Sequence, residues 1–313
     1  MDINLSDEAL EYGRAAQRAI RDAGGDELIQ SAEARPDERE AIVSPLLGSI
    51  GTWELEPRKN ADDLEAAAVL CRSCGYWALP YPVAERLARP LDIDTDGLVV
   101  VGTATAAAAI AVTSARWTAV TLAGRRCRAT AKPDGRSPRH SGFVVPLELQ
   151  LLDERGRADV ALALTLPCWT LLGMLDRALE MTRRYVLDRR QFGHPIASFQ
   201  AVQFQITDAE VERLGLAELA KYTLWSCSSR PDEALADALA LRACAIEAAE
   251  TVFRTAHQLH GAIGFCDEAV LSWLSRYSLP LRRLPFGLSE TQEHLVERVG
   301  RAGLSGLFDE WTD

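Results

Sequence analysis

The sequence predicts a mainly α chain in three parts: an N-terminal helical domain over residues 1–97, a shortened, reduced central β domain over 98–165, and a C-terminal helical bundle over 166–313. Apolar residues recur at helical spacing through the first and last parts. The stretch between them breaks into short β-branched runs punctuated by glycine and proline. With 313 residues, 48% of them hydrophobic, the chain can bury a sizeable core without a metal or disulfide staple.

In the first part, Ser6 can cap a helix, Asp7 and Glu8 suit its first turn, and Ala9, Tyr12, Ala16 and Ile20 share one face. Gly24-Gly25 ends it. Leu64, Ala67, Ala68, Cys71 and Cys74 form another stripe, broken after Pro80 and Pro82. That stripe accounts for Cys71-x-x-Cys74 by packing, because no second ligand pair accompanies it. Strand-like runs follow at Leu98–Val101, Trp117–Leu122, Phe143–Val145 and Leu147–Leu152, with Gly124, Pro133, Gly135 and Pro138 as turns. Leu172, Leu175, Leu179, Thr182 and Val186 then mark a long helix. Pro231-Asp232-Glu233 opens another that runs towards His257, and long helices joined by short turns imply an antiparallel bundle.

A formal charge of −11 and a pI near 5.1 oppose nucleic-acid binding, which needs clustered cations facing the phosphates. A single cationic pocket for a phosphate group stays compatible with that balance. The cysteines are odd in number and scattered, and no leader-like start is visible, so the expectation is a cytoplasmic protein with reduced thiols. No uninterrupted apolar run approaches the roughly 20 residues of a bilayer span, and Thr103–Val112 is too short; no membrane partner is expected.

Two segments carry chemistry. The first is Tyr185-Val-Leu-Asp-Arg-Arg-Gln-Phe-Gly-His-Pro-Ile196, followed by Phe199-Gln200-Ala201-Val202-Gln203. The second is Gln258-Leu-His-Gly-Ala-Ile-Gly-Phe265. An arginine at a turn can grip a pyrophosphate bidentately, an aromatic ring can pack on a flavin or adenosine, and glycine lets backbone approach a ligand closely. Together they resemble the acyl-CoA dehydrogenase family, whose members place an N-terminal helical domain and a central β domain before a C-terminal four-helix bundle. The resemblance implies FAD as cofactor, bound mainly by a neighbouring subunit. It implies cofactor contacts from Arg189, Gln191, Phe192, Gln200, Gln258, Gly261 and Ala262, the last standing where the family has glycine.

The same resemblance implies a carboxylate base in one of two places, and here they fall at Pro285 and at Ala163, with Leu164 where an arginine orients substrate. Neither proline nor alanine accepts a proton, so no catalytic residue is assigned to this chain. The family's Thr-Glu-x-x-x-Gly-Ser-type flavin cover is also not found. Asp159, Asp176 and Glu268 are the nearest acids by sequence and are read as solvated or salt-bridged. His257 and His260 are read as hydrogen-bonding to phosphate or backbone, and Cys266 as a packing residue.

The pattern resembles the short subunit of the heteromeric α2β2 type acting on steroid-CoA thioesters in actinobacteria. That implies a longer partner subunit carrying the base, an acyl-CoA substrate, and electron-transferring flavoprotein as acceptor. Two other readings stay open: an autonomous homodimeric dehydrogenase with a displaced acid, and a non-enzymatic helical interaction protein.

Overall fold

The computed structural model describes residues 3–102, 106–109, 115–132 and 144–302. The expected turn residues Pro133, Gly135 and Pro138, together with Phe143, lie outside the described residues. Helix α1 (Asp7–Asp22) begins as its sequence dictates: the Ala9 N–H donates to Ser6 Oγ at 3.2 Å, and Asp7 and Glu8 occupy the first turn. It stops at Gly24 and Gly25, whose φ values of +118° and +52° suit glycine. Helices α2 (Asp26–Ala34) and α3 (Arg39–Ser49) follow. Sequence periodicity does not reveal them, since one is short and the other contains Pro45.

Helix α4 (Ala61–Tyr76) buries its whole apolar stripe, Cys71 and Cys74 included. Burial raises both thiols, Cys74 to about 12, so they are packing residues as expected. All seven cysteines are free. A short helix, α5 (Val83–Leu87), comes after the Pro80 and Pro82 break.

The sheet contains β1 (Gly97–Val100), β2 (Ala107–Ala109), β3 (Trp117–Val120), β4 (Arg126–Ala131) and β5 (Val144–Asp153), in the order β1-β3-β4-β5-β2. The β1–β3 pair is parallel and the others are antiparallel. Two expected runs merge into β5, because Pro146 lies inside the strand instead of breaking it. β4 escapes a hydrophobicity reading because it alternates arginine with small residues.

The last part comprises α6 (Val160–Asp188), α7 (Gln200–Ser229), α8 (Ala234–His260), α9 (Val270–Arg283) and α10 (Leu288–Ala302). Helix α6 lies at the centre: Leu172, Leu175, Leu179, Thr182 and Val186 are buried, and Trp169 is fully so. The helical stretch Gly156–Asp188 is long and apolar enough, by length and composition, to cross a bilayer. Counting only uninterrupted apolar residues did not reveal this. Yet 83% of its most apolar window is buried inside the chain, as befits the core helix of a bundle.

Two contacts fix the layers. A Cβ on Gly75 of α4 would fall 1.8 Å from the Thr170 carbonyl oxygen of α6, and one on Gly173 of α6 would fall 1.8 Å from the Arg72 carbonyl oxygen of α4. The two backbones therefore touch at a reciprocal pair of glycines. In addition, buried Asp159, just before α6, binds Arg126 of β4 at 2.6 Å and Arg58 at 3.2 Å, joining sheet, bundle and N-terminal layer.

Candidate functional site

The first motif begins where α6 stops. Its residues form a two-stranded hairpin, β6 (Arg190–Gln191) and β7 (His194–Pro195). The two turn residues between them, Phe192 and Gly193, both have positive φ, +52° and +84°, as a tight hairpin of this twist demands. A left-handed phenylalanine is uncommon, and the geometry drives its ring outwards: Phe192 is 87% exposed. Its ring touches Phe199 edge-on at 6.3 Å.

The second motif lies at the same end of the bundle. Helix α8 finishes at His260, and Gly261 breaks it with φ +67° and open space where a Cβ would stand. Tyr185 of α6 stacks on His260 of α8 at 4.4 Å, so the two motifs are joined by a ring contact. His260 Nδ1 lies 2.8 Å from the Ala256 carbonyl oxygen, the expected backbone hydrogen bond. His257 stacks on Phe265 at 4.2 Å and its buried Nδ1 has no partner. Burial lowers the pKa of both histidines, favouring the neutral rings.

Arg189, Gln191, Gln200 and Gln258 are exposed, and among the described residues none of their side chains has a hydrogen-bond or ion-pair partner. Gly261 and Ala262 are exposed beside them. Leu187, Phe204, Val211, Ile263 and Phe265 add exposed apolar surface on the motifs and α7. A free guanidinium, free amides, an outward ring and an open glycine fit the diphosphate and ring portions of FAD. One expectation fails at this end. Cys266 is exposed instead of packed, because it follows the glycine-broken turn on the outer side.

The three acids singled out in the sequence do not converge. Asp159 is tied to Arg126 and Arg58, Asp176 to Arg72 at 2.6 Å and Arg213 at 3.1 Å, and Glu268 is exposed on the turn after Cys266. Ala163, Leu164 and Pro285, however, do line one cleft, between β1, α6, α8 and α9. The expectation that both base positions lack a proton acceptor therefore concerns a single place.

That cleft contains a carboxyl the sequence reading passed over, Glu85 of α5. Glu85 lines this hollow of about 40 Å³ and a second of about 60 Å³ walled by Leu79, Tyr81, Val83, Met174 and Tyr277. No other described residue hydrogen-bonds or ion-pairs with its carboxylate. Burial pushes its pKa up to about 7. The ionisable groups around it are Cys71, Cys74, Tyr81, Tyr277 and Arg242. Arg242 is held by the carbonyls of Leu281, Leu284 and Phe286 at 2.7–3.0 Å. Local sequence carries little signal for Glu85, since Arg86 and Arg89 follow it and the run after Pro82 reads as an ordinary mixed helical turn.

Residues 165–300 match the family model described as acyl-CoA dehydrogenase, C-terminal domain. The carboxy-terminal region is therefore similar to the acyl-CoA dehydrogenase C-terminal domain, over fewer than half of the chain's residues. Acyl-CoA dehydrogenase FadE27 of Mycobacterium tuberculosis is 33% identical over 137 residues, which are 42% of this chain and 36% of that protein. Acyl-CoA dehydrogenase IpdE2 of Mycolicibacterium smegmatis is 33% identical over 141 residues, 45% of this chain and 43% of that protein. The matched stretch thus spans less than half of either relative.

Solved structures extend the likeness to nearly the whole chain. One chain of the ChsE4-ChsE5 complex from Mycobacterium tuberculosis superposes with a TM-score of 0.75 at 18% identity, covering 97% of this chain and all of that one (100%). A chain of the Tcur3481-Tcur3483 steroid acyl-CoA dehydrogenase gives 0.76 at 19%, covering 96% and 100%. The fold is that of the acyl-CoA dehydrogenases. FAD is the cofactor of this family, and structures of PigA with this fold carry it.

Proposed function

We propose that this chain is a subunit of a flavin-dependent acyl-CoA dehydrogenase that desaturates the α,β bond of an acyl-CoA thioester, a bulky steroid-derived one. The observation that carries the reading is the bundle end, where Arg189, Gln191, Phe192, Gln200 and Gln258 face outwards with no partners of their own. Arg189 would grip the diphosphate, Phe192 would pack on a ring, and Gly261 and Ala262 would let backbone approach, on FAD seated mainly in a longer partner subunit. FAD, when bound, supplies the hydride acceptor.

The partner would also supply the carboxylate that removes the α-proton in its own cleft, since Ala163 and Pro285 cannot. Support for unequal subunits comes from the steroid and ChsE4-ChsE5 structures that share the fold. An α2β2 assembly, electron transfer to an electron-transferring flavoprotein and a cytoplasmic location belong to the same proposal. The steroid class of substrate is carried over from those structures by likeness of fold.

Co-expression with candidate longer acyl-CoA dehydrogenase subunits tests this directly. The chain alone should purify flavin-poor or unstable, and the pair should give a stable complex with FAD at a fixed subunit ratio. Stoichiometric FAD in the isolated chain would refute the lending arrangement.

A further inference from the structure

A crevice of about 710 Å³ opens between the β3–β4 turn, the start of α8 and one face of α10, away from both motifs. Buried Leu235, Leu239 and Phe286 give it apolar walls. Three guanidiniums line it as well, Arg125 from the turn, Arg157 just before α6 and Arg298 of α10, against one carboxylate, that of Glu297. Arg157 has no ion-pair or hydrogen-bond partner among the described residues. Arg125 reaches Glu154 only at 4.0 Å, and Arg298 donates from Nη2 to the Asp232 carbonyl oxygen at 3.3 Å. Cations gathered round an apolar hollow suit an occupant that is apolar on one side and acidic on the other.

We propose that residues 303–313 of this same chain occupy the crevice, folding back along α10 as an amphipathic strap that ties the sheet to the bundle. Gly303 directly follows Ala302, the last residue of α10, and a glycine in that place ends a helix and lets the chain reverse. Leu304, Leu307, Phe308 and Trp311 then recur at helical spacing. The charged residues of the segment are Asp309, Glu310 and Asp313, all negative, which matches the arginine rim. Reach is sufficient: His294, at the far end of the α10 lining, lies about 12 Å of helix before Ala302, and the segment spans roughly 16 Å even if wholly helical. A second copy of the chain must first associate, whereas this segment starts about one turn beyond Arg298, and so short a tether holds it at a roughly millimolar effective concentration.

Hydrogen exchange of the 313-residue chain, read by mass spectrometry, tests the strap; if the chain alone does not stay folded, its complex with a longer subunit serves. Amides of residues 304–311 should exchange at least about tenfold more slowly than in a free peptide of the same sequence. Arg125→Glu with Arg157→Glu, both on exposed rim residues, should leave the unfolding midpoint in place and bring those amides within about twofold of the peptide. Adding Asp309→Lys and Glu310→Lys to that pair should restore the protection. Exchange at the peptide rate in the parent, or a loss that the lysines do not restore, would overturn the strap. Protection that vanishes on dilution would give the crevice to a second copy, and protection that survives the arginine reversal would place the segment on another surface, the partner subunit's included; both results also overturn it.

Discussion

The bundle end that carries the two motifs and the cleft between sheet and helices treat their arginines in opposite ways. At the bundle end, Arg189, Gln191 and Gln258 are exposed and have no partner among the described residues. In the cleft, Arg242 spends its guanidinium on three carbonyls, and the two places where the resemblance implies a base hold Ala163 and Pro285. Exposed polar side chains without an internal partner are hydrated and free to meet a ligand, whereas a guanidinium held by backbone carbonyls is committed to the fold; Glu85 is the exception in the cleft, with no partner among the described residues.

The comparison can be broken most sharply at Asp159. It is a structural ion and no proton acceptor for substrate, so Asp159→Asn should destabilise the chain by about 3–5 kcal/mol by leaving Arg126 and Arg58 underpaired. Denaturant unfolding measures this. An unchanged midpoint would remove Asp159 from the structural side of the contrast.

At the bundle end, Arg189→Ala should leave unfolding unaltered and weaken FAD retention in the complex by about 1.5–3 kcal/mol, the value of a charge-assisted hydrogen bond. Equal flavin affinity in parent and variant would make the motif a mere helix end.

Glu85 supplies a pH-dependent test. Its folded pKa of about 7 lies above the ordinary 4.5, so the native state holds the proton more tightly than the unfolded state. The resulting stability is fully present below pH 4.5 and lost as pH rises to about 7, with a slope of at most about 1.4 kcal/mol per pH unit. Glu85→Gln should therefore match the parent near pH 4.5 and exceed it in stability above pH 7. A difference independent of pH would show that Glu85 is solvated.

The smallest effects are expected for Asp176→Asn and Glu268→Gln. In the complex, turnover per flavin should stay within a few-fold of the parent, against the about 10²–10⁴-fold cost of removing a general base. Abolished α-proton exchange with normal FAD content in either variant would favour an autonomous enzyme.

Much of the bundle was legible because α6 and α8 repeat their apolar residues at helical spacing, and because Arg189-x-x-Phe-Gly and Gln258-x-x-Gly occupy helix ends. α2 and α3 were not legible, since one is only nine residues long and the other carries an internal proline. β4 was hidden by Arg126 and Arg128, whose charges mask its alternation. The cleft was half legible. Counting along the chain placed Ala163 and Pro285 in it, but Glu85 reaches it from an element far away in sequence, and no local pattern reports such a meeting.

The reciprocal glycines Gly75 and Gly173 bear on how the cleft can respond to a ligand. With the α4 and α6 backbones in contact, these helices have no side-chain layer between them that could repack, so neither can slide past or lift off the other by a fraction of a turn. Any widening of the cleft must then come from the opposite wall, formed by α9 and the Leu284–Pro285 segment.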